Sequence, residues 1–168
     1  MNDGQRDFIE KMGISFERSG ATPMLGRVWG ALLVSSTGPM SAEELATTLG
    51  ASRGAISYAT RQLAELLFIE KFRKPRDRKD YFRTTPQSLV KASRRRLQEL
   101  QVLRELFEEG LHAMEDAEPE HSVSLVSGMD FLSMWESTLE NFFSEWQQHK
   151  GDQRAKRNSD NQSHKDLR

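Results

Sequence analysis

At 168 residues the chain has room for one ordinary domain with an appendage, enough to bury a core without metal or disulfide staples. It has no cysteine, which excludes disulfide scaffolds, Cys-ligated zinc, thiol nucleophiles and thiol redox switches. Its net charge of −1 is unevenly spread: residues 52–84 hold nine Lys or Arg against four acids, while 119–149 hold five acids and no Lys or Arg, so one short segment suits a polyanion.

Phe8, Ile9, Met12 and Phe16 recur at helical spacing, and Thr22-Pro23 supplies a cap and an N1 proline for a second helix across Met24 to Val34. Ser36-Thr37-Gly38-Pro39 reads as a loop. Ser41 and Glu44 then make an S-x-x-E capping box opening a short helix with Leu45 and Leu49, which Gly50 ends. Ser52 caps the next helix, where Ile56, Ala59, Leu63 and Leu66 share one face. The opposite face carries Gly54, Ser57, Tyr58, Arg61 and Glu65, with Arg53 at its border.

Phe68 to Lys74 and Tyr81 to Thr84 are β-favouring runs on either side of the polar turn Pro75-Arg76-Asp77-Arg78-Lys79-Asp80, which predicts a two-stranded β-hairpin. Thr85-Pro86 starts a long helix with no breaker before Gly110 and apolar positions at Leu89, Leu97, Leu100, Leu103, Phe107, Leu111 and Met114. Running from 86 to 115, it would be about 45 Å long, so part should protrude. Glu118-Pro119 restarts a helix bearing the stripe Phe131, Trp135, Leu139, Phe142 and Trp146, widened by Met129, Leu132 and Phe143. Beyond Gln147 almost nothing is apolar, and 148–168 reads as a disordered, basic, polar tail. No apolar run approaches the roughly 20 residues that a bilayer requires, so neither signal peptide nor membrane span is expected and the cytoplasm is the default location.

A short helix, a glycine turn and a capped second helix with a polar, basic outer face are the parts of a helix-turn-helix, whose second helix enters the major groove of double-stranded DNA. Ser52, Gly54 and Ser57 allow close approach, Arg53 and Arg61 offer guanidinium groups to guanine edges, and Tyr58 offers a phosphate donor or a thymine contact. An αα-hairpin with a solvated polar face would use the same pattern. The hairpin shifts the balance, because Arg73, Lys74, Arg76, Arg78 and Lys79 crowd five cations into seven residues with one acid, as a wing facing an anion would. The expected fold is mainly α: a winged helix-turn-helix at 36–85, support and dimerisation helices at 1–35, and long dimerisation helices at 86–147. One subunit cannot cover both a protruding helix and a broad aromatic stripe, so an obligate homodimer on a near-palindromic operator is expected. Trp29, Phe131 and Trp135 are candidates for a small-molecule effector site near the junction of the two regions, against the simpler reading that they are core.

Residues 26–85 resemble the MarR-type winged-helix family, and within it the GbsR-like branch. The likeness rests on Gly26-Arg27-Val28-Trp29-Gly30-Ala31-Leu32-Leu33, on Met40-Ser41-Ala42-Glu43-Glu44-Leu45-Ala46, on Leu49-Gly50-Ala51-Ser52-Arg53-Gly54-Ala55-Ile56-Ser57 and on Asp77-Arg78-Lys79-Asp80-Tyr81-Phe82. One departure is Arg76, where the branch commonly has a glycine. The resemblance implies a dimeric transcriptional regulator in which N- and C-terminal helices of two subunits interlock.

Two rival readings belong to other classes. A winged helix used as a protein-interaction adaptor would keep the fold but has no use for the basic wing. A metal-binding helical bundle would draw on Glu109-x-x-His112 and Glu118-x-x-His121, although their acidic neighbours read as a solvated face. No Ser/His/Asp set, phosphate loop or H-E-x-x-H motif is visible, so no enzyme and no cofactor are expected. The run Arg94-Arg95-Arg96 reads as a solvated helix face, with a phosphate contact as the alternative.

Overall fold

The computed structural model describes residues 1–114 and 119–165, with side chains described to residue 150 except for 115–120. The chain divides into two compact units, Met1–Arg95 and Arg96–Arg168.

In the first unit, α1 (Asp3–Arg18) begins at a reciprocal capping box: Asn2 Oδ1 accepts from the Gln5 backbone N–H, and the Gln5 side chain accepts from that of Asn2. Gln5 also donates to the carbonyl of Val34, the C-cap of α2 (Pro23–Leu33), at 2.9 Å. Thr22 precedes Pro23 as expected, but its side chain makes no capping hydrogen bond. The two helices touch through glycine: a Cβ on Gly26 would lie 2.2 Å from the Met12 carbonyl oxygen. No larger residue fits there without moving backbone.

Strand β1 (Met40–Ser41) leads directly into α3 (Ala42–Leu49). The expected capping box is present, with Ser41 accepting from the Glu44 N–H and Glu44 accepting from the Ser41 N–H. Gly50 closes the helix at φ 59°, the left-handed conformation that only glycine adopts without penalty. Ser52 caps α4 (Arg53–Glu65) through the Ala55 N–H at 3.2 Å. Its inner face is Ile56, Ala59, Thr60 and Leu63. Leu66, expected on that face, is 38% exposed, because the helix ends one residue earlier and Leu67 turns the chain at φ 64°.

The wing is β2 (Glu70–Arg73) and β3 (Asp80–Arg83), antiparallel with Phe72 opposite Tyr81. The expectation of a two-stranded hairpin is extended by β1, which pairs with β3 through Met40 opposite Phe82 and Ser41 opposite Tyr81. Two residues were too short a run to read as a strand, yet the third strand covers the edge that an isolated hairpin would leave open. The core of this unit joins all these elements: Ile9, Val28, Leu45, Ile56, Leu63, Ile69 and Phe82 are among its buried members.

α5 (Ser88–His112) starts two residues later than Thr85-Pro86 suggested, because Ser88 turns inward, fully buried, and its hydroxyl accepts from the Thr85 N–H at 3.0 Å. At 25 residues it is about 37 Å long. The second unit holds the rest of α5 and α6 (Pro119–Lys165). Gly110 does not break α5, and a Cβ there would stand 3.3 Å from Leu125. Gly128 faces the Phe107 ring, 2.4 Å from where its Cβ would lie. Leu97, Leu100, Leu132 and Phe143 are buried, while Leu106, Phe131, Met134 and Phe142 are each more than half exposed. α6 continues to Lys165, where a disordered tail was expected from 148, and the side chains beyond residue 150 lie outside the described residues.

Candidate nucleic-acid interface

Helix α4 is amphipathic, and its packing decides what it shows to solvent. With Ile56, Ala59 and Leu63 fully buried, Arg53, Gly54, Ser57, Tyr58 and Arg61 are left exposed on the other side. Ser52, at the cap, is exposed beside them. The Arg61 guanidinium lies 6.0 Å from the centre of the Tyr58 ring, at the outer limit of a cation–π contact, so both side chains keep outward-facing polar groups. Gly54 is informative: its φ is not positive, and a Cβ there would meet nothing nearer than Ser52 Oγ at 4.0 Å. Nothing in the fold requires a glycine at that position. Arg27 ties α2 to its neighbours, donating to the Leu49 carbonyl at the end of α3 at 3.2 Å and pairing with Glu10 of α1 at 2.9 Å.

The wing turn is built from sequence in three steps. Pro75 presets the second position of a β-turn closed by the Asp77 N–H donating to the Lys74 carbonyl at 3.1 Å. Arg76 then takes φ 63°, the left-handed third position of a type II turn, which glycine normally fills. Asp77 locks the far side of the turn, accepting from the Lys79 N–H at 2.9 Å and from the Tyr81 hydroxyl at 2.8 Å. These two bonds, the backbone one first, hold the Asp77 carboxyl below its ordinary range, and the same contact raises the Tyr81 phenol.

The five wing cations differ in what neutralises them. Arg73 pairs with Asp80 at 3.0 Å, and Asp80 also takes Lys71 at 2.8 Å, which lowers its pKa. Lys74 lies 3.8 Å above the Tyr81 ring. Lys79 pairs with Glu43 of α3 at 2.9 Å. Arg76 and Arg78 are exposed at the tip, with no ion pair or hydrogen bond from another described side chain. Between α3, α4 and the wing, Ser41, Ala42, Glu43, Arg53, Ser57, Lys79 and Asp80 line one cleft of about 410 Å³. Of the residues expected to read DNA, Arg53 and Ser57 of α4 and Lys79 of the wing meet in this cleft.

The other candidates are placed differently. Trp29 lies in the first unit, in edge contact with Phe16 and Phe68, with ring centres 5.8 and 4.7 Å away. Phe131 and Trp135 lie in the second unit and form their own edge-to-face pair at 5.6 Å. Glu109, His112 and His121 are exposed, and Glu118 lies outside the described residues. Of the arginine run, Arg95 donates to the Glu65 carbonyl at the end of α4 at 2.6 Å, a cation on a helix C-terminus, and Arg96 pairs with Glu99. Glu43 and Tyr81 were missed as partners of the wing cations. Lys74 meets Tyr81 across the wing turn, a short sequence spacing, whereas Glu43 and Lys79 are 36 residues apart.

Comparison with known proteins gives a consistent picture. A family model described as the MarR family matches residues 32–81, and one described as MmpR5-like MarR family transcriptional regulator matches 88–149. The HTH-type transcriptional regulator MmpR5 of Mycobacterium tuberculosis (strain ATCC 25618 / H37Rv) is 36% identical over 146 residues, covering 87% of this chain and 88% of that protein. A crystal structure described only as that of a transcriptional regulator is also 36% identical and superposes with a TM-score of 0.80, over 86% of this chain and 99% of the other. These matches name the MarR family and an MmpR5-like group, not the GbsR-like branch expected from the motifs.

Proposed function

The chain belongs to the MarR family of winged-helix transcriptional regulators, and on that premise we propose that it is a cytoplasmic homodimer binding a near-palindromic DNA operator. Ser52, Arg53, Gly54, Ser57, Tyr58 and Arg61 enter the major groove, and the wing runs along the neighbouring backbone with Arg73, Lys74, Arg76 and Arg78, with Lys79 on its rim. The observation that carries this reading is the cleft in which Arg53 and Ser57 of α4 meet Lys79 of the wing, beside a wing tip whose Arg76 and Arg78 are exposed with no ion pair among the described residues. A turn tip can insert only one or two side chains into a minor groove roughly 6 Å wide, and Arg78, held by the Asp77 turn, is the anchor. Among the described residues no helix is long and apolar enough to cross a membrane.

The dimer is supported by the exposed apolar side chains of the second unit, Leu106, Phe131, Met134 and Phe142, which water would otherwise face. Two-fold symmetry then sets half-sites about one helical turn apart. Modulation by a small apolar or cationic molecule completes the reading. Its support is the Trp29 indole N–H, buried and without a hydrogen-bond partner among the described residues, a donor that an acceptor such as the carboxylate of an aromatic acid would satisfy.

Selection of binding sites from random duplex DNA, read together with the salt dependence of retention, tests the function. The expected result is a palindromic consensus bound with a steep salt slope. An adaptor for proteins would show neither, and a stable folded monomer at micromolar concentration in light scattering would refute the dimer. Thermal-shift screening with aromatic acids and quaternary amines tests the effector: the expected ligand both stabilises the protein and changes DNA affinity.

A further inference from the structure

The acid of α3 that reaches the wing does little for the fold beyond placing a favourable charge in the first turn of its helix. Glu43 is exposed in the first turn of α3, its carboxylate meets Lys79 Nζ at 2.9 Å, and both partners keep more than half of their side-chain surface in water. An exposed pair of this kind contributes little to folding. Asp80 differs, because it joins β2 to β3 within the ladder and holds two cations at once. Glu43 lines the same cleft as Asp80, with Arg53 and Ser57 of α4, on the surface assigned above to DNA, but it comes from α3 and meets the wing through Lys79. It puts negative charge where a phosphate would lie.

We propose that Glu43 limits the affinity of this surface for DNA: its carboxylate is the resident counterion of Lys79 and withholds that ammonium from the phosphate backbone. The inference rests on the DNA-binding reading. Its physical content is that sequence-independent affinity comes from cations that release mobile counterions when they meet phosphate. A lysine already neutralised by a fixed carboxylate has no mobile ion to release. Of the five wing cations, Lys79 through Glu43 and Arg73 through Asp80 are already paired, leaving Lys74, Arg76 and Arg78 as full contributors. The hydrogen bond from Lys79, together with its charge, keeps the Glu43 carboxyl ionised well below neutral pH, so the restraint is constant under ordinary conditions.

The test is a cycle of four full-length proteins, the parent, Glu43→Gln, Lys79→Met and the double variant, titrated with a random-sequence duplex across a range of salt. Glu43→Gln is expected to bind about eightfold more tightly near 0.1 M salt, with a slope steeper by about 0.9 and an advantage that vanishes towards 1 M. Lys79→Met leaves the Glu43 carboxylate bare on the DNA-facing surface and should bind more weakly than the parent, and adding it to Glu43→Gln should abolish both the tighter binding and the extra slope. If the pair merely braces the wing, Glu43→Gln will bind more weakly than the parent and its slope will not steepen, which overturns the proposal. A double variant that keeps the tighter binding and steeper slope of Glu43→Gln overturns it as well. A parent without salt-dependent binding would instead sink the DNA-binding reading itself, a result distinguishable from either of these.

Discussion

Replacing Arg76 by glycine should move stability and DNA binding in opposite directions. Arg76 holds φ 63° behind Pro75, a conformation that costs an L-residue about 1–2 kcal/mol. Glycine removes that cost but adds freedom to the unfolded chain worth about 0.4–1 kcal/mol. The difference is a gain of about 0–1.6 kcal/mol, with a middle value of about 0.8, or up to about 6 °C in Tm for a chain of this size. The same change deletes an exposed, unpaired guanidinium from the wing tip. Losing one phosphate contact should flatten the salt slope by about 0.9, so that raising salt from about 50 to about 200 mM weakens the variant about 3.5-fold less than the parent. Thermal melting by circular dichroism reads the first effect, and fluorescence anisotropy with a labelled duplex at several salt concentrations reads the second. A lower Tm would show that the turn is not strained at Arg76, and an unchanged slope would show that Arg76 does not meet DNA.

Arg78→Ala should weaken binding to the selected operator by about 1–3 kcal/mol and blunt any A·T preference beside the half-site, with folding and dimerisation unchanged; parent-like affinity at moderate salt would leave specificity to α4 alone. Gly54→Ala fills open space on a helix where alanine is favoured by up to about 1 kcal/mol, so the melt should hold or rise while operator affinity falls through lost approach to the base edges. Retained affinity would remove Gly54 from the interface. The lowered pKa of Asp77 sets a pH window: its contribution to wing order is present above the ordinary value of 3.8 and is lost as pH falls through the lower folded value. NMR shifts of the Lys79 amide should therefore stay flat from about pH 5 to 8 and move only below about pH 4, and movement near neutrality would assign the turn to another titrating group.

The helix-turn-helix was legible in the sequence because its signals are local. Ser41 with Glu44, Gly50, Ser52 and the buried spacing of Ile56, Ala59 and Leu63 each act within one or two turns of helix, and the structure places them as expected. The exposed α4 face came from that spacing alone. Long-range pairings were not legible. Strand β1 is two residues whose partner lies some forty positions on, and Glu43 finds Lys79 only after the sheet has formed. Left-handed residues were hidden for a different reason: neither Leu67 nor Arg76 is a residue type that announces a positive φ. At the start of α5, Pro86 suggested one helix boundary and the inward turn of Ser88 set another, a choice made by burial rather than by local preference.

Ser41 belongs to two structures at once. Its backbone is in register with Tyr81 as the last residue of β1, while its hydroxyl and N–H form both halves of the box that starts α3. Fraying of the wing from that side therefore also uncaps the helix-turn-helix, and loss of the cap releases the wing. The opening unit seen by hydrogen exchange should accordingly be larger than the hairpin. Amides of Phe82 and Glu44 would exchange through one common event, and the basic fingertip would meet its target as part of a body already ordered, with little entropy left to lose on contact.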